Sequence, residues 1–294
     1  MFKTLSRAFA AFALLFAPAA YAQEAKDADP ALWVVKDADT TIYLFGTIHF
    51  LKPGLGWFDE AVKAAFDKSD QVMLEMVEPD AATAQATVLR VALDPTGPTV
   101  SSSLPEDKRA AYAAALTGVG VPPAYVEHAD PWLSAIYISV LSLPKYGYDP
   151  ASGAEKVISA AAAAAGKPVA GLETFEQQLG YFDSLPRELQ VKFLVATLDQ
   201  LPELEPTLAR MLATWTQGDP DALGRLMNED MDGMPEIRRA LLTDRNARWA
   251  DWIGERMKQP GTVFVAVGAG HLAGPDSVQA FLAKRHLRAV RVRY

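Results

Sequence analysis

Two stretches of this chain are strand-length and apolar on both faces, and each runs into glycine with histidine three residues further on. The first is Thr41-Ile-Tyr-Leu-Phe45, followed by Gly46-Thr-Ile-His49. The second is Thr262-Val-Phe-Val-Ala-Val267, followed by Gly268-Ala-Gly-His271. A strand with no polar face has to be covered on both sides, which is the situation of a central strand in a sheet layered between helices. That pattern predicts an α/β fold.

The remaining segments supply the layers. Leu32-Trp-Val-Val35 precedes the first apolar strand across Asp37-Ala-Asp39, and so short a polar turn predicts a hairpin. Asp59 to Lys68 reads as a helix with Val62, Ala65 and Phe66 on one face, and Gln71-Val-Met-Leu74 as a strand ending at Glu75. This β–α–β succession predicts a parallel pairing. Helical periodicity fills Asp80 to Gly166, punctuated by proline and glycine. A short strand, Lys167 to Leu172, then leads to Glu173, and helices resume from about Thr174 to Lys258. A helix from Pro275 to Lys284 and a strand from Leu287 to Val292 close the chain. Strands at both ends and helices between them predict a mixed central β-sheet flanked by helices, with a large helical insertion, in a single α/β domain over residues 23–294.

Composition removes whole classes of chemistry. Half of the 294 residues are hydrophobic and 22% are charged, the profile of a chain that closes its own core. With Cys 0, disulfides, thiolate metal sites, iron–sulfur clusters and cysteine nucleophiles are excluded. A net charge of −8 with no basic stripe argues against a nucleic-acid partner. Residues 1–22 have the layout of a signal peptide: Lys3 and Arg7, an apolar run from Ala8 to Ala17, and Ala20-Tyr21-Ala22 before a new N-terminus at Gln23. That run is shorter than the ~20 residues needed to span a bilayer, and no cysteine offers a lipid attachment point. The expectation is an exported protein, periplasmic or secreted, without a stable membrane anchor after cleavage.

The most reactive side chains cluster just after predicted strands: His49, Glu75, Glu173 and His271. In open α/β sheets ligands bind beyond the carboxyl ends of the strands, so two imidazoles and two carboxylates would share a pocket. Such a set suits zinc, manganese, cobalt or iron, and three ligands with an open position activate a water at neutral pH. Each residue also has a plainer reading. Either histidine can be a hydrogen-bonded structural residue, Glu75 a surface carboxylate, and Glu173 a complement to a helix dipole. Arg245 and Trp249 lie one turn apart on a long predicted helix, either as a solvated face or with Arg245 reaching into the crevice to hold a carboxylate or an oxyanion. Gly268-Ala-Gly270-His-Leu-Ala-Gly274 superficially matches a dinucleotide fingerprint. Its third glycine is a place late, however, and too little chain follows for a nucleotide fold. Signatures of P-loop, H-E-x-x-H and G-x-S-x-G chemistry are absent from the sequence.

An ordered series of motifs resembles the TraB/PrgY/GumN superfamily, most closely its GumN-like bacterial branch, whose relatives include the Tiki proteases. The series is Tyr43-Leu-Phe-Gly-Thr-Ile-His49, Leu74-Glu75-Met76, Gly147-Tyr-Asp149, Lys167-Pro-Val-Ala-Gly-Leu-Glu173-Thr with Gln177-Gln178, Arg245-Asn246, and Phe264 through Gly274. The resemblance implies a fold related to erythromycin esterase and ChaN-like proteins and, by way of the Tiki branch, a metal-dependent peptidase activity. His49, Glu75 and His271 would be the metal set, with manganese, cobalt or zinc as the divalent ion. Glu173 and Arg245 fall on recurrent family positions: Glu173 as general base or fourth ligand, Arg245 to orient substrate or stabilise negative charge. The expected partner is a peptide or small-molecule substrate, with oligomeric state left open. The rival expectation is a non-catalytic metal- or haem-binding protein built on the same histidines.

Overall fold

In the computed structural model, which describes residues 25–228 and 233–294, the two doubly apolar segments lie side by side at the centre of one sheet. The expected signal peptide and its cleavage point fall outside the described residues. Strands in chain order are β1 Lys26–Asp27, β2 Leu32–Lys36, β3 Thr40–Thr47, β4 Leu55–Gly56, β5 Gln71–Met76, β6 Val169–Glu173, β7 Gly261–Gly268 and β8 Val290–Val292. Strands β1 and β4 form a small parallel pair. The other six form a mixed sheet in the order β6-β5-β7-β3-β2-β8.

Strands β3 and β7 pair in parallel over their whole length, from Thr40 opposite Gly261 to Thr47 opposite Gly268. The two Gly-x-x-His frames therefore leave the sheet within one residue of the same level. The expected hairpin is present as the antiparallel β2–β3 pair, closed where the Asp37 carboxylate accepts from the Thr40 amide. The expected parallel neighbours, β3 and β5, do run in the same direction, but they are not adjacent: β7 lies between them and pairs with both. The reason is burial. Strand β7 carries Val263 to Val267, every one buried, and only the innermost slot covers both of its faces.

Alternation along these strands feeds two apolar layers. Phe45 and Phe264 point to one side, where their rings meet Trp57, Trp215 and Phe66. Ile42, Leu44, Val263 and Val265 point to the other, against Trp249, Ile253, Val278 and Leu282. The helical insertion comes as two excursions, one between β5 and β6 and one between β6 and β7. They share a third core in which Tyr112, Trp132, Ile138 and Leu194 are fully buried. Two expected boundaries shift. The last helix begins at Val278, because the Ser277 hydroxyl caps it by accepting from the Ala280 amide, and β8 is limited to three residues. No described helix is long and apolar enough to cross a membrane.

Candidate active site

Strands β6, β5, β7 and β3 are mutually parallel, so their carboxyl ends open on one side of the sheet. Glu75 lies near the end of β5, Glu173 is the last residue of β6, and His271 follows β7 in the 3-10 turn Ala269–Leu272. Opposite them runs the helix Asp244–Arg256, whose buried face is Arg245, Asn246, Trp249, Ala250 and Ile253. Its Arg245/Trp249 face is thus turned inward, not solvated. A π-helical turn, Arg239–Thr243, precedes it, and the Leu241 carbonyl accepts from Arg245 Nη1 at 3.1 Å. Such widened turns recur at functional sites because they re-aim the residues that follow.

Arg245 ties the cluster together. Its Nη2 donates to Glu75 Oε2 at 2.8 Å and to Glu173 Oε2 at 2.7 Å, while Nε reaches both Glu173 oxygens at 3.1 Å. Glu173 also accepts from Tyr181 Oη (3.0 Å), Trp249 Nε1 (3.1 Å) and Gln178 Nε2 (3.2 Å). A carboxylate offers about four acceptor sites, and these donors occupy them.

Glu75 accepts from the Gly268 amide at 2.6 Å on Oε1, and from Arg245 and Gln178 on Oε2. Burial pushes its acidity toward the neutral form. The charges of His271 when protonated, Arg245 and His49, together with the Gly268 amide, outweigh that push and hold it down at about 2. A Cβ at 268 would stand 2.9 Å from Glu75 Oε1, so any larger residue there would force the carboxylate to shift from its place on the Gly268 amide.

The tautomer of His271 follows from its neighbours. Asn246 Nδ2 donates to the Asp276 carbonyl at 2.7 Å, which can only accept, so Asn246 turns its Oδ1 toward His271 Nδ1, 2.6 Å away. The proton is therefore assigned to Nδ1, and Nε2 carries the lone pair, 3.2 Å from Arg245 Nη1. Burial is the main cause that lowers the His271 pKa, to about 3, with Arg245 and His49 assisting against Glu75. The Trp249 ring packs over the imidazole at 4.5 Å between centroids.

A sequence model of the TraB/PrgY/gumN family matches residues 31–291, and those residues contain every member of this cluster. The chain belongs to this family. It is also similar to an "Uncharacterized protein" of Treponema pallidum (strain Nichols), 23% identical over 273 residues, which span 87% of this chain and 80% of that one. No solved structure matches.

The fifth expected residue of this TraB/PrgY/gumN chain, His49, stands apart from the bonded cluster. Its Nδ1 meets Glu155 Oε1 at 2.7 Å, and the Thr47 hydroxyl donates to the same oxygen. Glu155 sits in the first turn of the helix Ala154–Ala164. That turn docks directly on the loop: the Ala154 amide donates to the Ile48 carbonyl, and a Cβ on Gly153 would collide with the His49 carbonyl. Glu155 is the main cause that raises the His49 pKa, to about 9, against the opposing effect of burial. The side chain is nevertheless 63% exposed, and it lines a crevice of about 180 Å³. Gly268 forms the wall shared by that crevice and the cluster. A larger polar hollow of about 660 Å³ lies by the β2–β8 edge, near Asp29, Trp33 and Arg291, and none of the five expected residues lines it.

The structure thus joins Glu75, Glu173, Arg245 and His271 directly and places His49 across Gly268 from them. Among the described residues, no three of His, Asp and Glu stand together as an assembled metal-binding group. The donor chemistry does fit a divalent ion. Glu75 Oε1 and His271 Nε2 are 3.7 Å apart, a gap that two ligands with bonds of ~2.1 Å to one ion can span. Each histidine is held by Nδ1 on a side-chain oxygen, the arrangement that orients a metal-binding imidazole. Glu155, Asn246, Gln178 and Tyr181 complete the site without having been assigned a role from sequence. Gln178 and Asn246 stand inside the family motifs, which was their available signal. Glu155 reads only as an acidic residue at a helix start.

Proposed function

We propose that this protein is an exported metal-dependent hydrolase acting on peptide or amide bonds. The observation that carries the reading is the matched pinning of two imidazoles, His49 by Glu155 and His271 by Asn246, on either side of Gly268 and Glu75. His49, Glu75 and His271 would hold the ion. A bound manganese, cobalt or zinc ion would supply Lewis acidity at the carbonyl and a water activated near neutral pH. In the reaction the water oxygen bonds to the carbonyl carbon, the C–N bond breaks, and the amine leaves carrying a proton from the water. Arg245 is the group suited to the negative charge that develops on the carbonyl oxygen, since its Nη1 hydrogen faces the lone pair of His271 and can be redirected. In place of the two roles expected for Glu173, general base or fourth ligand, we assign it to positioning Arg245, because its acceptor sites are filled and none is left for a proton or an ion. The layout of residues 1–22 supports export.

The size of the crevice favours hydrolysis over haem binding at His49: about 180 Å³ is below the ~300 Å³ at which pockets for whole small molecules begin. The test is elemental analysis of the mature protein and its His49→Ala and His271→Ala variants, with fluorogenic peptides assayed in added manganese or cobalt. Metal-dependent cleavage lost in both folded variants is the expected result. A Soret band without hydrolysis would overturn the proposal in favour of a binding protein.

A further inference from the structure

The crevice beside His49 is walled mainly by apolar side chains. Leu208, Met211 and Leu212 come from one face of the helix Leu204–Thr216 at i, i+3 and i+4, and Leu143, Tyr148 and Met227 are among the residues that add to them. The same helix face continues to Trp215, which is buried and anchored by donating from Nε1 to the Gly46 carbonyl at 2.8 Å. Trp215 therefore secures the helix to β3, while Met211 and Leu212, one turn earlier, stay half-buried, packed on the first core on one side and lining the crevice on the other. An empty apolar cavity of roughly 150 Å³ is enough to take up a benzene ring. At about 180 Å³, the space next to His49 matches one leucine or phenylalanine side chain and not an entire drug-sized molecule.

We infer that this crevice is a specificity subsite for one large apolar side chain of a polypeptide substrate, seated next to the scissile bond, with Met211 and Leu212 as determining residues. The inference rests on the hydrolase reading and names its substrate class. A single-residue pocket opening onto His49 places the rest of the chain outside it, which a polypeptide lying across the crevice mouth satisfies. Methionine walls adapt to several apolar shapes, so leucine, methionine and phenylalanine would all be accepted, whereas aspartate would forfeit the apolar contacts that make up most of the crevice.

The test has two arms on the full mature chain. In the first, protein labelled at its methionine methyl groups is titrated without metal with N-acetyl-phenylalanine amide and with N-acetyl-aspartic acid amide. Saturable shifts of the Met211 and Met227 methyls with the first probe alone are expected, assigned through Met211→Leu. In the second, manganese-supplemented protein is given a peptide set varied at the residues flanking the cleaved bond. Apolar side chains should be preferred by roughly 10–200-fold in kcat/KM. Met211→Ala, which keeps a strong helix former at a half-buried position, should move the optimum toward tryptophan. Cleavage indifferent to the side chain, with no methyl shifts, would overturn this inference and leave the hydrolase reading standing. Methyl shifts with no peptide cleaved under any metal would instead overturn the hydrolase reading, and the substrate assignment with it, leaving an apolar binding pocket.

Discussion

His271 donates its Nδ1 proton to Asn246 Oδ1 across 2.6 Å, and Asn246 is itself locked by the Asp276 carbonyl. This chain of two bonds decides which imidazole nitrogen is free. Replacing Asn246 by leucine removes the lock without adding charge, so the ring should lose its fixed tautomer. The 15N shifts of His271 should report a protonated Nδ1 in the parent and a mixture in Asn246→Leu. If Nε2 serves a metal, affinity should fall by about 10–100-fold, measured by titration with a chelator-buffered ion. An unchanged tautomer with unchanged affinity would show that Asn246 orients nothing.

Among the described residues, Arg245 alone is bonded to Glu75, Glu173 and His271 together, and all four are buried. Removing it leaves two carboxylates facing each other out of water. Arg245→Leu should cost about 3–5 kcal/mol of folding stability. Neutralising one carboxylate relieves the repulsion, so Arg245→Leu combined with Glu173→Gln should be less destabilised than the sum of the two single variants. Urea denaturation of the four proteins checks this, and strict additivity would mean that the guanidinium is not what holds the carboxylates together.

Glu155 raises the His49 pKa to about 9. In metal-free protein, Glu155→Gln should bring the midpoint down toward the ordinary value of 6.5, followed by proton NMR of the ring. The sign is fixed by linkage. A folded-state pKa above the unfolded one contributes stability that is fully present below about 6.5 and is lost as pH rises through about 9. A midpoint that stays near 9 in the variant would place the cause elsewhere.

Much of this arrangement was legible in the sequence because it is local. Strands β3 and β7 declare themselves by having no polar face, and the reactive residues of the sheet stand at or just beyond strand ends whatever the sheet order. Sheet order itself is not local. Nothing within the run from Thr40 to Met76 says that a strand from position 261 onward will slip between β3 and β5, since that is decided by which strand most needs covering. Roles within the site are equally remote: Arg245 meets Glu173 across 72 positions and Glu75 across 170, and no periodic pattern couples them. Glu155 is hidden for a different reason. An acidic residue in a helix's first turn is favoured by the dipole everywhere, so the one that also grips a histidine looks like all the others.

The helical insertion contains a second acidic contact with a consequence for stability. Asp130 precedes the helix Pro131–Ser142 and receives Arg187 Nη1 at 3.2 Å, with Asp183 and Asp94 also facing it. Burial first, and then the charge of Asp183, raise its pKa from 3.8 to about 6, and Arg187 only partly offsets them. The folded state therefore binds this proton more tightly than the unfolded chain does. Between about pH 4 and 6 the ionised carboxylate becomes an increasing liability, and above about 6 the penalty is constant. A two-unit shift is worth at most ~3 kcal/mol, and solvent at this half-buried site reduces it, so Asp130→Asn should stabilise by about 1 kcal/mol at pH 7 and by nothing measurable at pH 4. Asparagine keeps an acceptor for Arg187 while removing the charge that Asp183 repels. Thermal unfolding of the two proteins at both pH values gives the comparison. Equal destabilisation at pH 7 and pH 4 would mean that the Arg187 ion pair outweighs burial and the neighbouring carboxylate, and that the sign argued here is wrong.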